Sequence, residues 1–466
     1  DEEFDAERYY VRWDTGAWGN SDTYAWFSAS HQRASDWVNG AAQNRRDHFA
    51  GKLTSEFGSR SLLTYYISYD DTHEDNYQRL FSAEDFENNP SWDQLTNEWS
   101  GVPYVDLSYR RGWSTLRENF FTYLKFEGDA TEGLNLSGAV YYHDNSGRGD
   151  WIPPYIVDLV DDAGGPETEI QGGETINGGD AIGRLYFVDP NDARVDPIDG
   201  CESTITFPYG GAGPEYDPTC HNRNSIPLQS YRHTHYGKER LGLTADFSWI
   251  IGDRSSFGNE LRGGLWYEDY ERKEHRDWHK ITDTRAGFEY DIPAYWRQYD
   301  RVYPQETTKW YLEDTLSFAG LSLTLGLKQF LVDVERQDNF GDADDAKVNS
   351  DSDVLISGGV VWVTPIEGLE LFAGYAENFK ALGDLILERP LSDFVDLEPE
   401  TAENIDLGVR WVVDLFTFAF TYYTIEFNDR IIFLSAETDS GPDYLIGTNG
   451  TYFNAGGVDS EGVELS

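Results

Sequence analysis

Apolar residues fall on every second position in one segment of this chain after another. Leu134, Leu136, Val140 and Tyr142 alternate with Asn135, Ser137, Ala139 and His143. The pattern returns at Leu241, Leu243, Ala245, Phe247 and Trp249, at Leu321, Leu323, Leu325 and Leu327, and at Phe416, Phe418, Phe420 and Tyr422. A two-residue period gives an extended strand one apolar and one polar face. It predicts fifteen strands, at 8–15, 22–34, 46–57, 61–70, 116–128, 133–143, 238–250, 257–272, 306–318, 321–334, 352–363, 368–378, 403–413, 416–427 and 451–466.

Two kinds of connection take turns between these strands. Tight turns are expected near Trp18–Ser21, Gly58–Arg60, Asp129–Gly133, Gly252–Ser256, Ala319–Gly320, Thr364–Gly368 and Asp414–Leu415. Long polar connections at 35–45, 71–115, 144–237, 273–305, 335–351, 379–402 and 428–450 fall between them, and the parity never breaks. A soluble sandwich joins its strands by short loops at both ends. Outer-membrane barrels have short turns at one end and long loops at the other. Proline, which cannot donate to a ladder, gives an independent check. Of the 17 prolines, Pro365 falls in a tight turn and all others fall in long connections. The fold class read from the chain is all-β, a transmembrane antiparallel β-barrel filling residues 1–466, with its largest external loops at 71–115, 144–237 and 273–305.

Composition changes that picture little. No Gly/Ser-rich or Pro-rich linker divides the chain, and no run of about 18 apolar residues offers a transmembrane helix. The absence does not argue against a barrel, whose strands are only half apolar. The 30 Tyr, 26 Phe and 15 Trp suit interfacial girdles and loops that meet a ligand. Charge is more decisive. A formal net charge of -48 repels nucleic acid and argues against a phosphate-binding role. The acids gather in the long connections, for example Asp338, Asp342, Asp344, Asp345 and Asp351, as a solvated exterior or as loops that collect divalent cations. The two cysteines, Cys201 and Cys220, share the longest connection and predict a disulfide in an oxidising compartment. The N-terminal residues carry no charged-then-apolar leader, so any signal peptide is expected upstream or removed.

From Leu371 onward the chain reads LFAGYAENFKALGDLILERPLSDFVDLEPETAENIDLGVRW, then FTFAFTYYTIEFNDRIIFL, then YFNAGGVDSEGVELS. This resembles the C-terminal barrel of TonB-dependent outer-membrane receptors. That family has a YxxxFRAP strand end, an LxPE loop, a strand opening on Asn and reaching ELG, a strand ending near NRI, and a closing N-x-G…GVE strand. The counterparts are Tyr375 with Phe379, Lys380 and Ala381; Leu397 with Pro399 and Glu400; Asn404 with Leu407 and Gly408; Asn428 with Arg430 and Ile431; and Asn454, Gly456, Gly462, Val463 and Glu464. Residues before about 370 share only the barrel rhythm. The family's barrels have 22 strands, and its plug and TonB-contacting box have no recognisable counterpart here. By parity, the expectation is an internal portion holding strands 2 to about 16, without plug, first strand or roughly the last six.

The resemblance implies an active importer in the outer membrane of a Gram-negative bacterium. Cargo lands on the external loops and the plug, and the TonB–ExbB–ExbD complex of the inner membrane pulls the plug. Outer-membrane lipid and lipopolysaccharide surround such a barrel, which needs no cofactor. A ferric siderophore is the family's default cargo. An oligosaccharide is the alternative, supported by the tryptophan count, and a passive porin or surface-adhesion barrel is a further one. Haem-importing relatives carry a histidine between the FRAP-like and PE-like elements, and Phe379–Glu400 has none.

Candidate chemistry is thin. No GxSxG, HExxH or phosphate-cradling glycine loop occurs, so no catalytic residue is assigned. Histidines cluster as His221, as His233 and His235, and as His275 and His279. Two residues apart on a strand, His233 and His235 share a face and offer two nitrogens together to a ligand, although no metal set is assigned. Better candidates for binding are Trp278, Tyr295, Trp296, Tyr299 and Tyr303 with Arg297 and Arg301 in one connection, and Trp92, Trp99 and Tyr104 in another. Rings stack on sugars or on aromatic chelators and arginine pairs with an anionic chelate, or the same residues pack the loops together.

Overall fold

The computed structural model describes residues 5–466 except 20–21, 36–41, 59, 77–81, 91–92, 161–163, 168–175, 178–180, 208–209, 254–256, 289–292, 341–344, 390–393, 395, 414 and 436–449. Fifteen strands form one antiparallel meander, each bonded to the next in sequence: β1 Glu7–Ala17, β2 Thr23–Ser35, β3 Gln43–Phe57, β4 Ser61–Asp75, β5 Ser114–Thr131, β6 Leu134–Trp151, β7 Gln229–Asp253, β8 Phe257–Ile281, β9 Trp296–Phe318, β10 Leu321–Asp338, β11 Leu355–Val363, β12 Leu369–Lys380, β13 Glu400–Val413, β14 Phe416–Asn428 and β15 Val458–Leu465. Two short pieces complete the 17-stranded sheet: Ala346–Asn349 folds back on β10, and Ile176–Asn177 runs parallel to the start of β9.

One face of this sheet is apolar from end to end. Directly paired residues in a ladder point the same way. Register carries the set Tyr65, Leu124, Val140, Leu243 and Tyr267 across β4 to β8, and Leu321, Trp362, Leu371, Val409, Phe420 and Leu465 across β10 to β15. Most of these side chains are more than a third exposed, which places them against lipid and the opposite, polar face against the lumen. Trp249, Trp362 and Trp411 lie on the outer face beside tight turns, where indole suits the membrane interface. On β7 the lipid-facing run is Leu241–Ile251, the 9 to 11 residues that a tilted strand needs to cross.

The strands continue well past that band. β7 has 25 residues and is roughly 80 Å long at 3.3 Å per residue. The sequence places the starts of β7 and β9 nearer residues 238 and 306 and the end of β8 nearer 272, whereas the ladders run from Gln229, to Ile281 and from Trp296. Above residue 240 of β7 and 268 of β8, charged residues occupy both faces, so alternation vanishes while backbone pairing goes on. Pro304 therefore lies inside a strand, against expectation. It pairs with Glu271 on β8, but the β9–β10 ladder skips Tyr303 and Pro304 between Val302–Gln337 and Gln305–Val334, as the missing N–H requires. The predicted strand 451–466 is two strands. Gly450–Asn454 pairs with Ile431–Ser435 in a separate hairpin, and Gly456, with φ +92, separates it from β15.

The long connections carry structure of their own. Helix α1, Ala83–Asn88, is capped by Ser82, which accepts from Asp85 N. Helix α2, Pro103–Asp106, holds the Asp106 carboxylate under Ser100 and Gly101 backbone N–H groups, both at 2.7 Å. Arg110 and Asp93 form a fully buried two-pronged pair at 2.7 and 2.8 Å. Cys201 and Cys220 are joined, with Cα atoms 5.5 Å apart.

Candidate functional site

Two faces of one wall, β6 to β9 above the lipid band, carry the chemistry. Parity separates them. Even positions of β7 and β8 face the lumen, and odd positions continue the outer face.

On the lumen side Arg232 of β7 lies between its cross-strand partners, 4.4 Å from the Trp151 ring and 5.8 Å from the Trp278 ring. Beside it Arg276 lies 5.0 Å from the Tyr299 ring, and its Nε donates to Thr234 Oγ1 at 3.1 Å. The β8–β9 ladder shifts register here, pairing Arg276 with Tyr299 but Asp277 with Arg297, so that Gln298 is the extra residue of a bulge. Gln298 Oε1 accepts from Trp278 Nε1 at 3.1 Å and from Arg276 Nη1 at 3.5 Å. Among the described residues, the side-chain partners of Arg276 are the neutral Thr234 and Gln298. Burial, then the neighbouring Arg276, pulls the Arg232 pKa down to about 9.

Lower on the same face Arg272 is clamped. It meets Asp384 and Glu274 at 2.6 Å and Glu388 at 2.9 Å, with the Tyr303 ring 4.1 Å away. Asp384 and Glu388 belong to the short 3-10 helix Asp384–Glu388, so this cluster anchors that connection inside the barrel mouth. Burial raises Glu388.

The predicted aromatic platforms are mostly inside the loop core. Trp278, Tyr295 and Trp296 are at most 3% exposed and pack with Tyr155, Ile156, Val157, Leu159, Leu185 and Val188. Trp278 and Trp296 stack at 5.6 Å, and Tyr295 shares a 3.0 Å hydrogen bond with Ser230. Tyr303 is fully buried. Tyr299 and Arg301 are half-buried on the lumen side, where Arg301 donates to Asp338 at 2.9 Å. Trp99 packs against Tyr109 and Phe288, Tyr104 packs against Tyr216, and Trp92 lies outside the described residues.

Arg297, His233 and His235 belong to the other face. Arg297 donates to Asp277 at 2.7 and 3.1 Å and to Asp300 at 2.9 Å. His235 stacks on its cross-strand partner His275 with ring centres 4.3 Å apart and planes 11° apart, and the His233 ring lies 4.7 Å from that of His279. Burial, then His275, draws the His235 pKa down to about 4; burial, then Arg297, lowers His275. Both rings are neutral at pH 7. His221 is a packing residue of the disulfide loop, stacked on Phe187 at 3.8 Å and donating through Nδ1 to Asp217 O at 2.9 Å.

Among the described acids of the connection at 335–351, each named carboxylate has a partner within the protein. Asp338 holds Arg301, Asp345 accepts from Asp338 N, Asp351 accepts from Val332 N, and Asp342 and Asp344 lie outside the described residues. Sequence reasoning passed over Trp151, Arg232 and Arg276. The two arginines were visible as cations interrupting an acidic chain within long connections, but only strand register shows that all three residues share a face with Trp278 and Tyr299.

The family model described as TonB dependent receptor-like, beta-barrel, matches residues 2–466. Similar solved structures include the ferric citrate transporter FecA in its unliganded form, at 14% identity and a TM-score of 0.62, with 99% of this chain and 53% of that chain covered. The siderophore receptor PiuA from Acinetobacter baumannii is similar at 13% identity and a TM-score of 0.59, covering 99% and 59%. The copper transporter OprC is similar at 14% identity and a TM-score of 0.53, covering 99% and 58%. The chain spans between half and three-fifths of the length of these structures. Comparison with curated protein sequences finds no match.

Proposed function

The chain belongs to the TonB-dependent receptor β-barrel family, and from that premise we propose that the intact protein imports an anionic ferric siderophore across a bacterial outer membrane. In this reading the chain supplies barrel wall and external loops, and a plug drawn by the TonB–ExbB–ExbD complex opens the path. At 13–14% identity the structural neighbours speak for the fold, so the cargo reading rests on this chain's residues.

The observation that carries it is the Arg232–Arg276 pair on the lumen face. Arg232 and Arg276 lie on aromatic rings on the same face of the β7–β8 ladder and raise the local positive field together, in a chain with a net charge of -48. Arg276 bonds the neutral Thr234 and Gln298, whereas Arg272 and Arg301 are matched by carboxylates. Arg276, with Arg232 beside it, therefore offers a local anion contact within a field that turns bare polyanions away, which suits a compact chelate whose charge is partly masked by iron. The oligosaccharide reading needs open ring faces, and Trp278 and Trp296 are closed into the loop core.

The test uses the full-length receptor in iron-starved cells supplied with radiolabelled ferric citrate or a ferric tris-catecholate. Uptake of one of them is expected to fall about tenfold or more in Arg276→Gln, with surface abundance unchanged; an interaction of a charged group with its ligand commonly contributes 1.5–3 kcal/mol. Arg276→Gln uptake equal to wild type for every chelate, with expression following a carbon source rather than iron, overturns the reading.

A further inference from the structure

The outer face of the same wall carries a second constellation that import of a chelate does not use. His235, His275 and Asp277 each bring one ligand atom to a common point, all within 4.8 Å of one another. Strand geometry builds this set. His235 and His275 are direct cross-strand partners, and Asp277 follows His275 by two residues on the same face. His275 Nε2 is already 3.7 Å from Asp277 Oδ2.

The geometry points to a divalent transition-metal site on the outer wall of the barrel above the lipid band, with His235, His275 and Asp277 as ligands and zinc or copper(II) as its class of ion. Two imidazole nitrogens and one carboxylate oxygen are borderline donors, which suit these ions rather than calcium or magnesium. Bonds of about 2.0–2.2 Å bring tetrahedral ligand atoms to roughly 3.3 Å from each other, so side-chain movements of about an ångström close the set.

Asp277 is oriented from behind by Arg297, through contacts at 2.7 and 3.1 Å, in the way outer partners commonly fix a metal-binding carboxylate. Each carboxylate oxygen keeps a further lone pair for a metal. The charged groups around the site are Arg148, which faces His235 from β6, Asp150 beside it, and Arg297 with Asp300 on β9. Lys273 also lies on this face, two residues from His275 and paired with Glu271 at 2.6 Å, so the Asp277 carboxylate itself, not the net charge of the surroundings, supplies the attraction for a dication. His235 and His275 are half-buried rather than enclosed, which leaves a way in.

The ion sits on the side of the sheet opposite Arg232 and Arg276, so it is no cargo in transit. It ties β7 to β8 through side chains and, by way of Arg297, to the first turn of β9, pinning the base of the connection at 282–295. This reading is independent of the cargo.

The detergent-solubilised full-length receptor, stripped with a chelator and titrated with zinc chloride, tests it. One ion per chain is expected, with affinity reduced about tenfold or more in His275→Gln and in His235→Gln, and unchanged in His48→Gln, a wall histidine 3.0 Å from Asp70 on other strands. Anomalous diffraction from zinc-soaked wild-type crystals is expected to show a peak between His235 and His275, and this arm does not depend on how the variants fold. Absence of zinc binding, full retention of it in both variants, or an anomalous peak only elsewhere overturns the site.

Discussion

At the residue scale, burial decides how this wall responds to acid. His235 has a pKa of about 4 in the folded wall against 6.5 for a free side chain, chiefly through burial. As pH falls through 6.5 the unfolded chain takes up a proton on this residue and the folded wall does not. The stability contributed is therefore complete above 6.5 and is lost between 6.5 and 4. His275 shifts in the same direction. Hydrogen exchange at residues 233–237 and 273–279, corrected for intrinsic rates, is expected to speed up from pH 7.5 to pH 4.5 and to stay level from 7.5 to 8.5. Faster exchange on the alkaline side would contradict the assignment. His233 and His235 were legible as a pair sharing a face. Which face was not, because the outer-face parity is set in the lipid band some residues away.

At the element scale, the turns at Asp129–Gly133, Ala319–Gly320 and Thr364–Gly368 were legible, while those at Trp18–Ser21, Gly58–Arg60, Gly252–Ser256 and Asp414–Leu415 lie partly outside the described residues. Ala319 and Gly320 were expected as a turn and are one, with φ of +51° and +81°. Two positive φ values match the right-handed strand twist of a two-residue hairpin, and a Cβ on Gly320 would meet Val363 O at 2.8 Å. Gly320→Ala is expected to destabilise the barrel by about 1–2 kcal/mol, and Ala319→Gly to be neutral or stabilising. Urea midpoints in lipid vesicles check both, and a midpoint unmoved by Gly320→Ala would show that the turn is not held in this geometry. The strand ends were the least legible part. Lipid imposes alternation only over the 9 to 11 residues that cross, and above them backbone pairing alone extends β7, β8 and β9.

At the scale of the whole molecule, the described turns at Asp129–Gly133, Ala319–Gly320 and Thr364–Gly368 lie at one end of the antiparallel meander. Cysteines placed at Asp199 and Asn339 are expected to react with a membrane-impermeant maleimide added to intact cells, and those at Glu132 and Glu367 to stay silent. Cys201 and Cys220 are paired and add no background. Reaction at Glu132 or Glu367 would invert the topology. The loop assembly is the part that strand pattern did not reach. The cluster around Tyr155, Leu159 and Trp278, and the Arg272 clamp on Asp384 and Glu388, join segments more than a hundred residues apart.

What the sequence by itself determined is the barrel: its antiparallel meander, the alternation of its faces in the lipid band, the family, and the bond between Cys201 and Cys220. Each follows from a local rule, since a period of two, a glycine turn or a pair of cysteines in one connection needs no distant partner to be read. What only the tertiary structure decided is which residues meet. One strand register sends Arg232 and Arg276 to the lumen and His235, His275 and Asp277 to the outer wall, and one bulge at Gln298 moves Arg297 from the first group to the second. A shift of a single residue in register reverses the face of every side chain beyond it, so chemistry above the membrane is fixed by pairing and not by composition.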